Sequence, residues 1–150
     1  TSVASLVKEE EVGGELDMAF LDSAVTCSMN GPGEAVRWTF VEAVTGWNIT
    51  TEEWNSTTGR RILHIQRAAL LLGGPDIKWS TPTDDDNPPR FYEPLPSGPK
   101  KGQATDRVKF EELRQKYYKA IGWDERGIPK SDILAQLGLE DVDRVLAKIR

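Results

Sequence analysis

A chain of 150 residues is the size of one domain, and 38% hydrophobic residues support a core while leaving room for irregular segments. A net charge of −5 excludes the clustered basic face of a nucleic-acid platform and an electrostatic hold on an anionic membrane. There is no run of about 18 apolar residues, no basic and apolar leader at Thr1–Leu6, and one cysteine, so the expectation is a cytoplasmic protein with neither membrane span, signal peptide nor internal disulfide.

In chain order, Leu16, Ala19, Phe20 and Ala24 recur at helical spacing and predict a helix from about Glu15 to Cys27, bounded by Gly13-Gly14. Asn30-Gly31-Pro32-Gly33 breaks it. Val36, Phe40, Ala43, Val44 and Trp47 then trace an apolar stripe, predicting a second helix to about Thr45 with Gly46 as its left-handed cap. Thr50-Thr51-Glu52-Glu53 is a capping box opening a third helix, whose buried stripe is expected to be Ile62, Ile65, Ala69 and Leu72; Gly73-Gly74-Pro75 ends it. At 1.5 Å per residue such a helix is about 33 Å long and can organise a small domain. The sequons at Asn48 and Asn55 read as chance matches in helical sequence.

Residues 75–102 hold seven of the nine prolines, with Asp84-Asp85-Asp86 and Phe91-Tyr92. Proline fixes φ and removes an amide donor, so this is an extended surface connector, expected to be pinned by Phe91, Tyr92 and Leu95. Asp106 caps a fourth helix burying Phe110, Leu113, Tyr117 and Ile121 and ending at Gly122. Ser131 is expected to cap a short fifth helix to Gln136, closed by Gly138. A last helix, Asp141 to Ile149, should face Val142, Val145, Leu146 and Ile149 inward. No period-two alternation occurs, so the fold class expected is all-α, an irregular helical domain over residues 1–150.

Few residues offer chemistry. His64, the one histidine, sits beside an apolar stripe and reads as a core-edge residue. Asp84-Asp85-Asp86 lacks the alternating acids, glycine turn and late glutamate of a calcium loop, so it reads as a solvated acidic loop. No Gly-Lys-Ser/Thr phosphate loop is present. Cys27 by itself reads as a small buried hydrophobe, with metal ligation as the sharper alternative.

Three segments in order carry a resemblance. They are Leu21-Asp22-Ser23-Ala24-Val25-Thr26-Cys27; Glu42 to Thr50 with its Thr45-Gly46 turn; and a tail with the strap Arg90–Pro99, Tyr117-Tyr118, Gly122-Trp123-Asp124 and Leu137-Gly138-Leu139. From about residue 15 to the end the chain resembles the carboxy-terminal helical domain of the tungsten-containing aldehyde:ferredoxin oxidoreductase family. That likeness implies a fragment of a larger enzyme holding tungsten, or molybdenum, between two pterins beside a [4Fe–4S] cluster. It implies oxidation of an aldehyde to a carboxylate, with electrons leaving through the cluster to ferredoxin. The partners implied are the remaining amino-terminal domains and, for the full-length protein, a second copy in a homodimer. Cys27 aligns with the fourth cluster ligand and Asp22 with an aspartate that hydrogen-bonds a pterin; the other three cluster cysteines lie outside this chain. Family members often carry a glycine between that aspartate and cysteine, and a basic and an aromatic residue after the cysteine. Here Val25, Ser28 and Met29 stand in that neighbourhood. A tungsten subunit of a benzoyl-coenzyme A reductase-type complex and a stand-alone helical interaction domain without metal are the alternatives.

Overall fold

The computed structural model describes residues 13–27, 29, 33–74, 79–81 and 83–150. Its elements are α1 (Gly13–Ser23), α2 (Glu34–Thr45), α3 (Thr51–Glu53), a π turn π1 (Trp54–Thr58), α4 (Gly59–Leu72), a 3₁₀ turn (Pro89–Tyr92), α5 (Arg107–Ile121), α6 (Ser131–Gln136) and α7 (Glu140–Leu146). The expected all-α class holds: among the described residues there is no strand, only an isolated bridge between Trp123 and Pro129.

α3, π1 and α4 run on as one rod that serves two cores. Its first turns place Trp54 among Leu16, Ala19, Phe20, Tyr118, Ile121 and Trp123, and its far end places Ala68 among Leu134, Leu137, Leu139 and Leu146. Ile121, Leu134 and Leu146 are fully buried, each contributing roughly 1.5–3 kcal/mol of transfer free energy. Thr50 caps the rod as expected, its hydroxyl accepting from the Glu53 amide at 3.1 Å. Glu53 does not reach back to complete the capping box. Its carboxylate takes the Thr58 hydroxyl at 2.8 Å, because the π turn stacks residues five apart. Gly59 follows the wide turn and lets α1 cross closely; a Cβ there would lie 2.7 Å from Trp54 Nε1 and 2.9 Å from Leu16 Cδ2.

Gly46 (φ +72°) and Gly122 (φ +94°) end α2 and α5 in the left-handed conformation, and Asp106 caps α5 by accepting from the Val108 and Lys109 amides. Other expectations are corrected. α1 includes Gly13 and stops at Ser23, four residues before Cys27. Ser131 is the first residue of α6 and caps nothing; its hydroxyl accepts from Arg150 at 2.5 Å. α7 runs from Glu140 and ends at Leu146, and Val145 points outward at 40% exposure. The expected break at Asn30–Pro32, and Pro75 and Pro82 of the connector, lie outside the described residues.

The largest corrections concern the stripes. On α2 the expected core residues Val36, Phe40 and Val44 are exposed, as is Trp47 beyond it; the buried side holds Arg37, with Trp38 and Val41 packed against the first core. On α4, Ile65 and Leu72 are exposed, whereas His64 and Arg67 are buried. His64 is thus core rather than core edge.

The connector is held differently from the expectation as well. Phe91 and Leu95 are exposed at 57% and 43%, leaving Tyr92 as the half-buried member of the three. The acidic run, expected to be solvated, is the anchor. Asp85 accepts from Arg67 Nη1 at 2.7 Å and Nη2 at 2.5 Å, from Trp79 Nε1 at 2.8 Å and from the Tyr118 hydroxyl. Asp86 accepts from the Tyr92 hydroxyl and from Arg107 at 3.0 Å. Periodicity is silent on such contacts, since the partners are spread over α4, α5 and the connector.

Candidate functional site

Asp22 and Cys27 stand at the end of α1, and the backbone explains how. The Thr26 amide donates to the Leu21 carbonyl at 2.9 Å and the Val25 amide to the Asp22 carbonyl at 3.3 Å. This paired closure is the Schellman ending, whose left-handed position here is Val25, at φ +53°. Asp22 therefore occupies the last helical turn, and the chain reverses before presenting Cys27. Both residues are exposed, and the Cys27 thiol is free.

A left-handed backbone costs a non-glycine residue about 1–2 kcal/mol, and a β-branched side chain is poorly suited to it. Val25 is 91% exposed, so its side chain returns little packing. Val25→Gly is expected to raise the stability of the chain by about 1 kcal/mol, after allowing for the extra freedom glycine has when unfolded. Thermal melting checks this, and a lowered melting temperature contradicts it.

Beside this corner lies a cavity of about 330 Å³ lined by Phe20, Ser23, Ala24, Thr26, Trp38 and Val44 among others. Its rim carries the exposed Phe40, Val44 and Trp47. Ser23, Ala24 and Thr26, the neighbours of Asp22 and Cys27 in the chain, thus line an open apolar surface. Among the described residues no group of three or more His, Cys, Asp or Glu side chains is arranged to hold a metal ion. The Cys27 thiol and the Asp22 carboxylate are each reachable from outside the chain.

A second cavity, of about 320 Å³, is lined by Glu15, Arg67, Asp85, Phe110, Tyr117 and Trp123 among others. Burial pushes the Glu15 carboxyl up, against the lowering effect of the Tyr117 hydroxyl. Burial also works against ionised Asp85, but Arg67, Tyr118 and Trp79 outweigh it and hold Asp85 below the usual carboxylate range. Arg67 is fully engaged. Its Nε donates to the Gly127 carbonyl at 2.8 Å, and its guanidinium lies 4.5 Å from the Trp123 ring centre. That contact explains the Gly122-Trp123-Asp124 turn: Asp124 accepts from the Arg126 and Ile128 amides, bending the chain so that Gly127 meets Arg67. These charges satisfy one another and make a structural node. Sequence reading missed it, because a basic residue on a helix and an acidic run both look like solvated surface.

His64 is buried; its Nδ1 lies 2.8 Å from the Arg60 carbonyl, and burial pushes its pKa down. No helix among the described residues is long and apolar enough to cross a membrane.

Residues 8–139 match the family model for aldehyde ferredoxin oxidoreductase, domains 2 & 3. The chain is 48% identical over 151 residues to the aliphatic sulfonate oxidoreductase, WOR-like subunit, of Pyrococcus furiosus, covering 100% of this chain and 24% of that protein. It is 35% identical over 126 residues to a tungsten-containing aldehyde ferredoxin oxidoreductase of the same organism, covering 82% of this chain and 20% of that protein. The tungsten-containing aldehyde ferredoxin oxidoreductase of Thermococcus kodakarensis is 31% identical over 127 residues, covering 82% and 20%. The chain thus spans about a quarter or less of the length of these curated relatives.

Proposed function

The chain belongs to the aldehyde ferredoxin oxidoreductase family, and from that premise we propose that it is the carboxy-terminal helical domain of a tungsten–pterin oxidoreductase. Residues 1–150 form one domain of that enzyme, with 75–102 as a connector within it. Cys27, as thiolate, supplies one ligand of a [4Fe–4S] cluster, whose other cysteines come from the preceding domain. Asp22, as carboxylate, accepts N–H donors from the edge of a pterin. When bound, the tungsten centre would supply oxidation of an aldehyde and water to a carboxylate with release of two electrons and three protons, the electrons passing to ferredoxin through the cluster that Cys27 would help to hold.

The observation that carries this reading is the corner itself. An exposed carboxylate in the last turn of α1 and a free exposed thiol just past the reversal flank Ser23, Ala24 and Thr26, which share a cavity with the unburied Phe40, Val44 and Trp47. A thiolate is a soft ligand suited to iron–sulfur clusters, and a carboxylate accepts two N–H bonds with good direction. The isolated chain is expected to be helical and colourless, with no iron or tungsten after anaerobic purification. Stoichiometric iron–sulfur absorption in the isolated chain contradicts a shared cluster.

The similarity to an aliphatic sulfonate oxidoreductase favours a second reading of the substrate. In it the same corner serves an enzyme that acts on an aliphatic sulfonate instead of a simple aldehyde. Parallel assays of the complete enzyme with an aliphatic aldehyde and an aliphatic sulfonate, both reporting ferredoxin reduction, decide between them.

A further inference from the structure

The start of α1 is tied by three consecutive residues to three different elements. Glu15 accepts from the Tyr117 hydroxyl of α5. The Leu16 carbonyl accepts from Trp54 Nε1 of π1 at 2.9 Å. Asp17 accepts from Arg37 Nη1 of α2 at 2.6 Å. Arg37 is itself fixed, 8% exposed with its guanidinium 4.7 Å from the Phe20 ring centre.

The Glu15 and Asp17 side chains leave the helix about 200° apart, and the Leu16 carbonyl, which points along the axis, is held between them, so the three ties grip α1 in different directions. One such bond lets a helix roll about the contact; three in different directions fix its rotation and its axial position together. Asp22 lies five residues beyond Asp17, roughly 7.5 Å along the same axis. Any slide or roll of α1 therefore carries Asp22, and the reversal that presents Cys27, along with it. The Gly59 crossing sets the depth of the grip, since the Leu16 and Trp54 side chains occupy the space a Cβ would need.

We infer that Glu15, Trp54 and Arg37, with Tyr117, form a positioning collar that indexes Asp22 and Cys27 toward the pterin and the cluster. The inference rests on the roles proposed above for those two residues. None of the collar residues touches cofactor; they act through the helix.

The test uses the complete oxidoreductase carrying Glu15→Ala, Trp54→Phe, Glu15→Gln and, as reference, Cys27→Ser. The readouts are the electron paramagnetic resonance spectrum and midpoint potential of the reduced cluster, iron retained against a chelator, and melting temperature. Glu15→Ala and Trp54→Phe are expected to displace the spectrum and potential. They should also weaken the hold on the cluster about tenfold, the lower end of what outer partners of a metal site contribute. Glu15→Gln keeps an acceptor for the Tyr117 hydroxyl and is expected to restore the normal spectrum. A lowered melting temperature with an unmoved cluster spectrum and potential overturns the collar, as does Glu15→Gln behaving like Glu15→Ala. An intact cluster in Cys27→Ser overturns the ligand reading first, and the collar with it.

Discussion

Cys27→Ser in the complete oxidoreductase is expected to abolish electron transfer to ferredoxin while leaving tungsten bound, and Asp22→Asn is expected to do the reverse in kind. A serine hydroxyl is a poor substitute for a soft thiolate on iron, so the cluster should be incomplete or lost. The amide of Asn keeps the shape of Asp22 but replaces one acceptor oxygen with a donor, setting N–H against a pterin N–H. Losing a charge-assisted bond and leaving a donor unpaired costs roughly 1.5–3 kcal/mol, so pterin and tungsten content should fall. Both side chains are exposed in the chain, so neither change should unfold it. Metal content and the cluster's spectroscopic signal, measured together on both variants, separate the roles. A full cluster and normal oxidation in Cys27→Ser would reduce Cys27 to a surface thiol, and the proposed chemistry would lose its anchor.

How much of this was legible in the sequence follows a physical division. Four helix termini were readable because caps are local: Thr50, Asp106, Gly46 and Gly122 act within a turn of themselves and behave as expected, whereas the end of α1, the Ser131 cap and the bounds of α7 do not. The direction of the stripes was not. Phe40, Val44, Ile65 and Leu72 have the periodicity of core residues yet are exposed, while Arg37, His64 and Arg67 are buried. Periodicity says that a face is apolar and not what covers it. In a chain matching about a quarter or less of its relatives' length, outward apolar faces suit contacts with the remaining domains. The candidate site was proposed from the sequence only through resemblance. Asp22 and Cys27 have no local pattern that marks them, and the early stop of α1 depends on Val25 accepting a conformation that its residue type disfavours. Glycine there would have announced the turn.

Breaking the Arg67–Asp85 pair is expected to produce the largest loss of stability that a single substitution in the described residues can cause through charge. The side chains are 5% and 11% exposed, so neither ion has water to fall back on. Removing one partner of a buried pair costs about 3–5 kcal/mol, because the other is left as an uncompensated charge. Arg67→Met should lie in that range: Asp85 would keep its Trp79 and Tyr118 donors but lose its counter-charge, and the Gly127 carbonyl would lose the Arg67 Nε. Asp85→Asn should cost about 3 kcal/mol and loosen the connector, whose ties to Arg67 of α4 and Tyr118 of α5 meet at this carboxylate, while the Asp86–Arg107 contact stays. Combining Arg67→Met with Asp85→Leu should cost clearly less than the sum of the two single changes, since the charges vanish together. The pH dependence has a definite sign. Asp85 is held below its unfolded value of about 3.9, so its contribution is fully present above that value and is lost as pH falls through the lower folded value. The gap between the unchanged chain and Asp85→Asn should therefore narrow in acid. Glu15, in the same cavity, acts oppositely: its raised value makes ionisation costly, so its penalty appears as pH rises above about 4.3. Urea unfolding of five chains (unchanged, Arg67→Met, Asp85→Asn, Asp85→Leu and the double variant) from neutral pH to below pH 4 measures the pair and its pH dependence. Additive single and double changes, or a gap that widens in acid, would mean that Arg67 and Asp85 do not stabilise the fold as a pair.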